Sequence, residues 1–141
     1  MSLMNRLKFA PLAVLGATLA SVLVAAPAHA NLPVPGGGEC ATVDSWSVPA
    51  AGSYKVTWKT TCSRDVYLIE MGITVQRSGN VVASKSTACG GSGLIRSCTR
   101  SVTVNDPSGT QKFESMDEVY IRYSPYSSAG TSGKYFGVAY H

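Results

Sequence analysis

GSYKVTWKTTC, residues 52–62, decides the fold. Its even positions are Tyr54, Val56, Trp58, Thr60 and Cys62; its odd positions are Ser53, Lys55, Thr57, Lys59 and Thr61. Alternation with a period of two is the pattern of a β-strand with one face buried and one face wet. The run CATVDSWSVP (residues 40–49) leads into it through a Pro-Ala-Ala-Gly turn. A hairpin centred on Ala50 and Ala51 opposes residues whose numbers sum to about 102. Trp46 then faces Val56, Val48 faces Tyr54, and Cys40 faces Cys62. The open end of the hairpin brings two cysteines together, so a Cys40–Cys62 disulfide is expected.

The same reading extends outward. VYLIEMGITVQ (residues 66–76) places Tyr67, Ile69, Met71, Ile73 and Val75 on one face and Glu70 on the other, pointing to water. RSGN (residues 77–80) is a tight turn, and VVASKSTAC returns from it. CGGSGLIRSC (residues 89–98) then opposes Cys89 and Cys98 across a short glycine-rich loop. Eight intervening residues are too many for a redox dithiol motif, and the exported part has one histidine, His141, too few to complete a zinc site. A structural Cys89–Cys98 bridge is expected.

Beyond Cys98, DEVYIRYSP and KYFGVAY complete the set, separated by the polar loop YSPYSSAGTSG. Val119, Ile121 and Tyr123 alternate with Glu118, Tyr120 and Arg122. Phe136, Val138 and Tyr140 are assigned to the core, and Tyr135 to the outside. No segment beyond residue 30 carries an apolar period of 3.6. Seven or eight short strands with regular turns predict an all-β protein, a small antiparallel β-sandwich of immunoglobulin-like type with two hairpin disulfides.

The chain ends bound its setting. Arg6 and Lys8 precede an apolar run at residues 9–26, and Ala28-His29-Ala30 offers small residues where a signal peptidase reads. That run is long enough for an uncleaved anchor, but the small-residue site favours cleavage after Ala30. The expected organisation is a signal peptide at residues 1–30, a flexible Gly/Pro leader at 31–39 and one β-domain at 40–141. Four cysteines, all in the exported part, suit secretion. The exported part carries ten basic and eight acidic side chains, spread singly. So small a surplus gives no patch for nucleic acid or an anionic membrane.

Chemistry-bearing motifs are sparse. GGSGL lacks the second glycine of a nucleophile elbow. AGTSGKY departs from a phosphate loop at Ser128 and Tyr135, and a strand rather than a helix follows. Glu114, Asp117 and Glu118 cluster, and they read as solvated charges at a strand edge. No catalytic set, cofactor or metal site is expected. Five of the seven tyrosines lie between Tyr120 and Tyr140, which marks Tyr120, Arg122, Tyr126 and Tyr135 as a candidate binding surface. A structural role is also concrete. If the last strands pair with numbers summing near 257, Arg122 stacks on Tyr135 and Tyr120 shields Gly137.

The expected function is a secreted, non-catalytic binding domain for an extracellular protein or a cell-wall glycan. One alternative is an inhibitor of an extracellular protease or glycosidase, presenting Arg96 on the disulfide-held loop. In size, strand count and disulfide number the chain also resembles the apoproteins of the secreted enediyne chromoproteins, a resemblance of architecture that implies an apolar-ligand carrier. Oligomeric state is not legible.

Overall fold

The computed structural model describes residues 31–141; the expected signal peptide lies outside the described residues. Six strands account for most of them: β1 (Leu32–Val34), β2 (Gly38–Ser47), β3 (Ser53–Arg77), β4 (Asn80–Asn105), β5 (Lys112–Ser124) and β6 (Ser127–Tyr140). All pairings are antiparallel in one sheet, ordered β1-β2-β3-β5-β6, with β4 also paired to β3. The protein is all-β.

The β2–β3 hairpin has the register its alternation predicts, with Trp46 opposite Val56 and Cys40 opposite Cys62. Both expected disulfides are formed, Cys40–Cys62 and Cys89–Cys98. At the β3–β4 turn, Ser78 and Gly79 both take positive φ, 49° and 84°. Two such residues turn the chain with the twist that flanking strands require.

The architecture follows from how β3 is shared. β4 runs along one edge of β3 for nearly its whole length. Its other edge pairs first with β2, through residues 55–62, and then with β5, through residues 68–77. β3 changes register against β4 between Thr61 and Leu68. Bulges of this kind bend a strand and increase its twist. The β1–β2 and β5–β6 arms therefore curl toward each other, and β6 meets β1 and β2 without ladder pairing. The sheet is nearly a barrel, not clearly an immunoglobulin-like sandwich. The expectation of seven or eight strands counted the two halves of β3 and of β4 separately.

Inside lie Val56, Trp58, Ile69, Ile73, Phe113 and Ile121, each no more than 1% exposed. Burial of each such side chain is worth roughly 1.5–3 kcal/mol. Tyr54 packs edge-on to Phe113, with ring centroids 4.9 Å apart, and stacks on Trp46 at 5.2 Å. The register shift also exchanges one core residue. Val66 is fully buried, whereas Tyr67 is only partly covered and donates its hydroxyl to the Gly91 carbonyl.

Two expectations need correction. The leader is not a loose tether, since Leu32–Val34 pairs with Gly38–Cys40 and Val34 is buried. The polar loop is almost entirely strand. β5 and β6 turn at Pro125 and Tyr126, and pair with numbers summing to 252 rather than 257, as with Met116 opposite Phe136. A shift by an odd number exchanges the faces. Tyr135 and Ala139 therefore point inward, each 3% exposed, while Phe136, Val138 and Tyr140 are exposed. The inner face of β6 is thus Gly133, Tyr135, Gly137 and Ala139, mostly small because the closing arms meet there. A Cβ on Gly133 would lie 2.9 Å from Leu32 of β1, and one on Gly137 would collide with the Asp44 carboxylate of β2.

Candidate functional site: a groove across the outer face

Inward placement of Met71, Ile73, Val119 and Tyr135 forces their strand neighbours outward. Two rows of residues then cross four adjacent strands. One row is Ser86, Gly72, Glu118 and Lys134; the next is Ala88, Glu70, Tyr120 and Ser132. Together they line an open groove of about 920 Å3. Gly72 forms its floor. Its φ lies in the ordinary range, and a Cβ there would touch nothing nearer than the Glu118 carbonyl at 3.8 Å. The depression exists because a side chain is missing, not because the backbone demands glycine.

The electrostatics are asymmetric. Lys134 Nζ lies 2.6 Å from Glu118 Oε1, so those charges offset each other. Glu70 is exposed and has no ion pair among the described residues. Its diagonal neighbour Arg122 is occupied elsewhere. Arg122 Nε donates to the carbonyls of Ser124 (3.1 Å) and Ser127 (3.0 Å), and Nη2 donates to that of Pro125 (2.8 Å).

The four residues expected to form one surface separate. Tyr120 lines the groove. Its ring lies 2.8 Å from the Cβ position of Gly130, and its hydroxyl donates to the Ser128 carbonyl at 2.6 Å. Arg122 clamps the β5–β6 turn, with its guanidinium 5.2 Å from the Tyr67 ring centroid. Neither expected pair forms: the register brings Gly130, not Gly137, under Tyr120, and the Tyr67 ring, not that of Tyr135, beside Arg122. Tyr126 stands at the turn, 97% exposed. Tyr135 is buried and leaves the surface altogether. The expected 89–98 loop is an irregular stretch of β4, paired to β3 at Gly90, Ile95 and Ser97; Arg96 is exposed there, its Nε donating to Asp65 Oδ1 at 2.6 Å.

The carboxylate cluster also divides. Glu118 lies in the groove and Glu114 pairs with Lys112 at 2.7 Å, but Asp117 is fully buried, contrary to its reading as a solvated edge charge. It opposes Ile73 on β3, so the parity that buries Ile73 buries it too. Burial pushes its carboxyl up to about 7. The Gly72 amide opposes that shift, but neither oxygen has a partner within full hydrogen-bond geometry. Nearby polar groups are better satisfied. Trp58 Nε1 donates to Ser115 Oγ at 2.8 Å, Thr42 and Thr60 join hydroxyls at 2.9 Å, and Tyr135 hydrogen-bonds Thr42. Burial raises the Tyr135 phenol, as does the neighbouring Asp117.

His141 Nδ1 lies 2.5 Å from Asp106 Oδ2 and its ring stacks on Tyr54 at 4.9 Å, which ties the C-terminal residue to the domain. Among the described residues no group of three or more His, Cys, Asp or Glu is placed to hold a metal ion.

Tyr120 and Glu70 were legible in the sequence as candidates, but the groove they line was not. Its signal was the polar face of residues 66–76, where Gly72 interrupts a strand otherwise rich in large side chains.

No family model matches the chain, and no curated protein matches it. Among solved structures, a protein from Archaeoglobus fulgidus is similar at 11% sequence identity and a TM-score of 0.42. The match covers 72% of this chain and 94% of that one.

Proposed function

We propose that this protein is a secreted, non-catalytic binding domain whose working surface is the groove over Gly72. The carrying observation is the groove itself: about 920 Å3, open, and lined by carboxylate, ammonium, hydroxyl and aromatic groups. Its floor consists of laddered strands backed by a packed core, a rigid support that limits the ordering cost of binding. Two disulfides suit an oxidising, extracellular-type environment. The signal-like residues 1–30 support export, and the groove suits a cell-wall glycan or an extracellular protein better than nucleic acid, because it carries no excess of positive charge.

The test uses Gly72→Tyr. The space above Gly72 accepts a Cβ and strands favour aromatic residues, so this variant keeps the fold while a ring fills the floor. Disulfide-intact protein is immobilised and offered the producing culture's secreted proteins and wall fraction, with Tyr126→Ala as a surface control. Retention by wild type and Tyr126→Ala, and loss in Gly72→Tyr, is the expected result. Equal retention by all three would move the site elsewhere.

Inhibition of an extracellular enzyme is the second reading. It is supported by the irregular stretch of β4 between Cys89 and Cys98, whose ends are joined by a disulfide and whose Leu94 is 64% exposed. Trypsin that is inhibited, with the Arg96–Ser97 bond left intact, would favour it. Rapid cutting without inhibition would remove it.

A further inference from the structure

We propose that the groove binds a linear glycan carrying free amino groups, with Glu70 as the residue that recognises the ammonium. The proposal rests on the groove being the working surface and names its ligand class.

The groove lies on the face of the sheet, with its floor on β3 and β5 and its ends on β4 and β6. Main-chain N–H and C=O groups along β3 and β5 are committed to ladders on both sides. An extended peptide laid here finds no backbone partners for its own amides, and burying them unpaired is costly. Peptides that recognise sheets add to edges for this reason. A glycan has no such requirement. Its hydroxyls are each met by single side-chain groups, and the groove presents Ser86 and Ser132 at its two ends with carboxylates between. Four strands at about 4.8 Å spacing make a floor roughly 14 Å across, room for a short run of sugar units. Tyr120, the cross-strand partner of Glu70, lines the groove with its ring turned toward Gly130 of β6.

Charge then selects among glycans. Glu118 is offset by Lys134, while Glu70 has no counter-charge among the described residues and Arg122 is held by three turn carbonyls. The groove is therefore one negative charge in excess at neutral pH. An anionic polysaccharide is repelled, a neutral one leaves Glu70 with hydroxyl partners alone, and a primary ammonium gains an ion pair with the Glu70 carboxylate.

Calorimetric titration of the disulfide-intact protein with a fully deacetylated glucosamine hexamer and its N-acetylated counterpart tests this, at a pH where the amines are charged. The expected result is binding of the deacetylated hexamer at least tenfold tighter than of the acetylated one. Glu70→Gln should abolish that preference and Gly72→Tyr should abolish binding of both. Equal affinity for the two hexamers, lost in Gly72→Tyr, would overturn amine recognition and leave the groove standing as a glycan site. Binding unaffected by Gly72→Tyr would overturn the groove as well. If neither hexamer binds, the ligand class is wrong, and the retention experiment with the wall fraction decides the groove separately.

Discussion

The Asp44 carboxylate of β2 occupies the space that a side chain at Gly137 of β6 would need. Asp44 is held there by Trp46, whose Nε1 donates to Oδ2 at 2.8 Å. This contact lies where the two arms of the sheet meet without shared ladder bonds, so the closure depends on side-chain fit. Gly137→Ala should displace Asp44, break its bond to Trp46 and cost about 1–3 kcal/mol. Gly72→Ala, where the same atom meets open space, should be neutral or slightly stabilising. Urea unfolding of the two variants checks the contrast, and equal effects would show that the seam is not tightly fitted.

Asp117 should make stability depend on pH in an unusual direction. Its carboxyl is raised in the folded state to about 7 from an ordinary value of 3.8. Below about pH 4 it is protonated in both states, and its contribution is complete. Between about pH 4 and 7 the unfolded chain ionises while the folded one holds its proton, so stability falls as pH rises. Above about 7 the loss is full, up to about 4 kcal/mol at 1.4 kcal/mol per pKa unit. Unfolding midpoints of wild type and Asp117→Asn from pH 4 to 8 isolate this effect. The difference between them should change across that window; a constant difference would show that the carboxyl keeps an ordinary pKa.

The two disulfides should differ in their importance. Loop-closure entropy predicts about 3 kcal/mol for each, slightly more for the longer separation. Cys40 and Cys62 are both buried in the core, whereas in the second bridge Cys98 is buried and Cys89 is only partly covered. Replacing Cys40 and Cys62 by serine should therefore cost more than the equivalent change at Cys89 and Cys98, because it adds lost packing and buried hydroxyls. Thermal unfolding of the two double variants measures the order.

Arg122 should prove to be a turn clamp. Arg122→Ala removes donors to three carbonyls and the contact with Tyr67, and should destabilise the protein by about 1–2 kcal/mol. Arg122→Lys should recover little, since an ammonium cannot reproduce the planar fork. Glycan titration of a folded Arg122→Lys should match wild type if the residue acts only on the hairpin.

What the sequence determined by itself is local. The alternation in residues 52–62, centred on its turn, sets the β2–β3 register and the Cys40–Cys62 bridge. Adjacent strands joined by a tight turn carry their pairing in their own numbering, so period and turn suffice there. The Cys89–Cys98 bridge was also legible from its short reach, but it spans an irregular stretch within β4 and not the mouth of a hairpin. The tertiary structure alone decided the rest. That β3 gives one edge to two partners, bends between them and brings β6 against β1 and β2 depends on contacts far apart in the chain. β6 shows the consequence. Its large apolar residues face out and its glycines face in, because the inner side of the seam has room only for small groups beside Leu32 and Asp44. Alternation reveals that two faces differ but not which is buried when one is small and the other apolar. Asp117 shares the face of Val119 and Ile121 along β5, so its burial followed from alternation already read there. The groove over Gly72 needed the pairing of β3 with β4 and β5 and of β5 with β6.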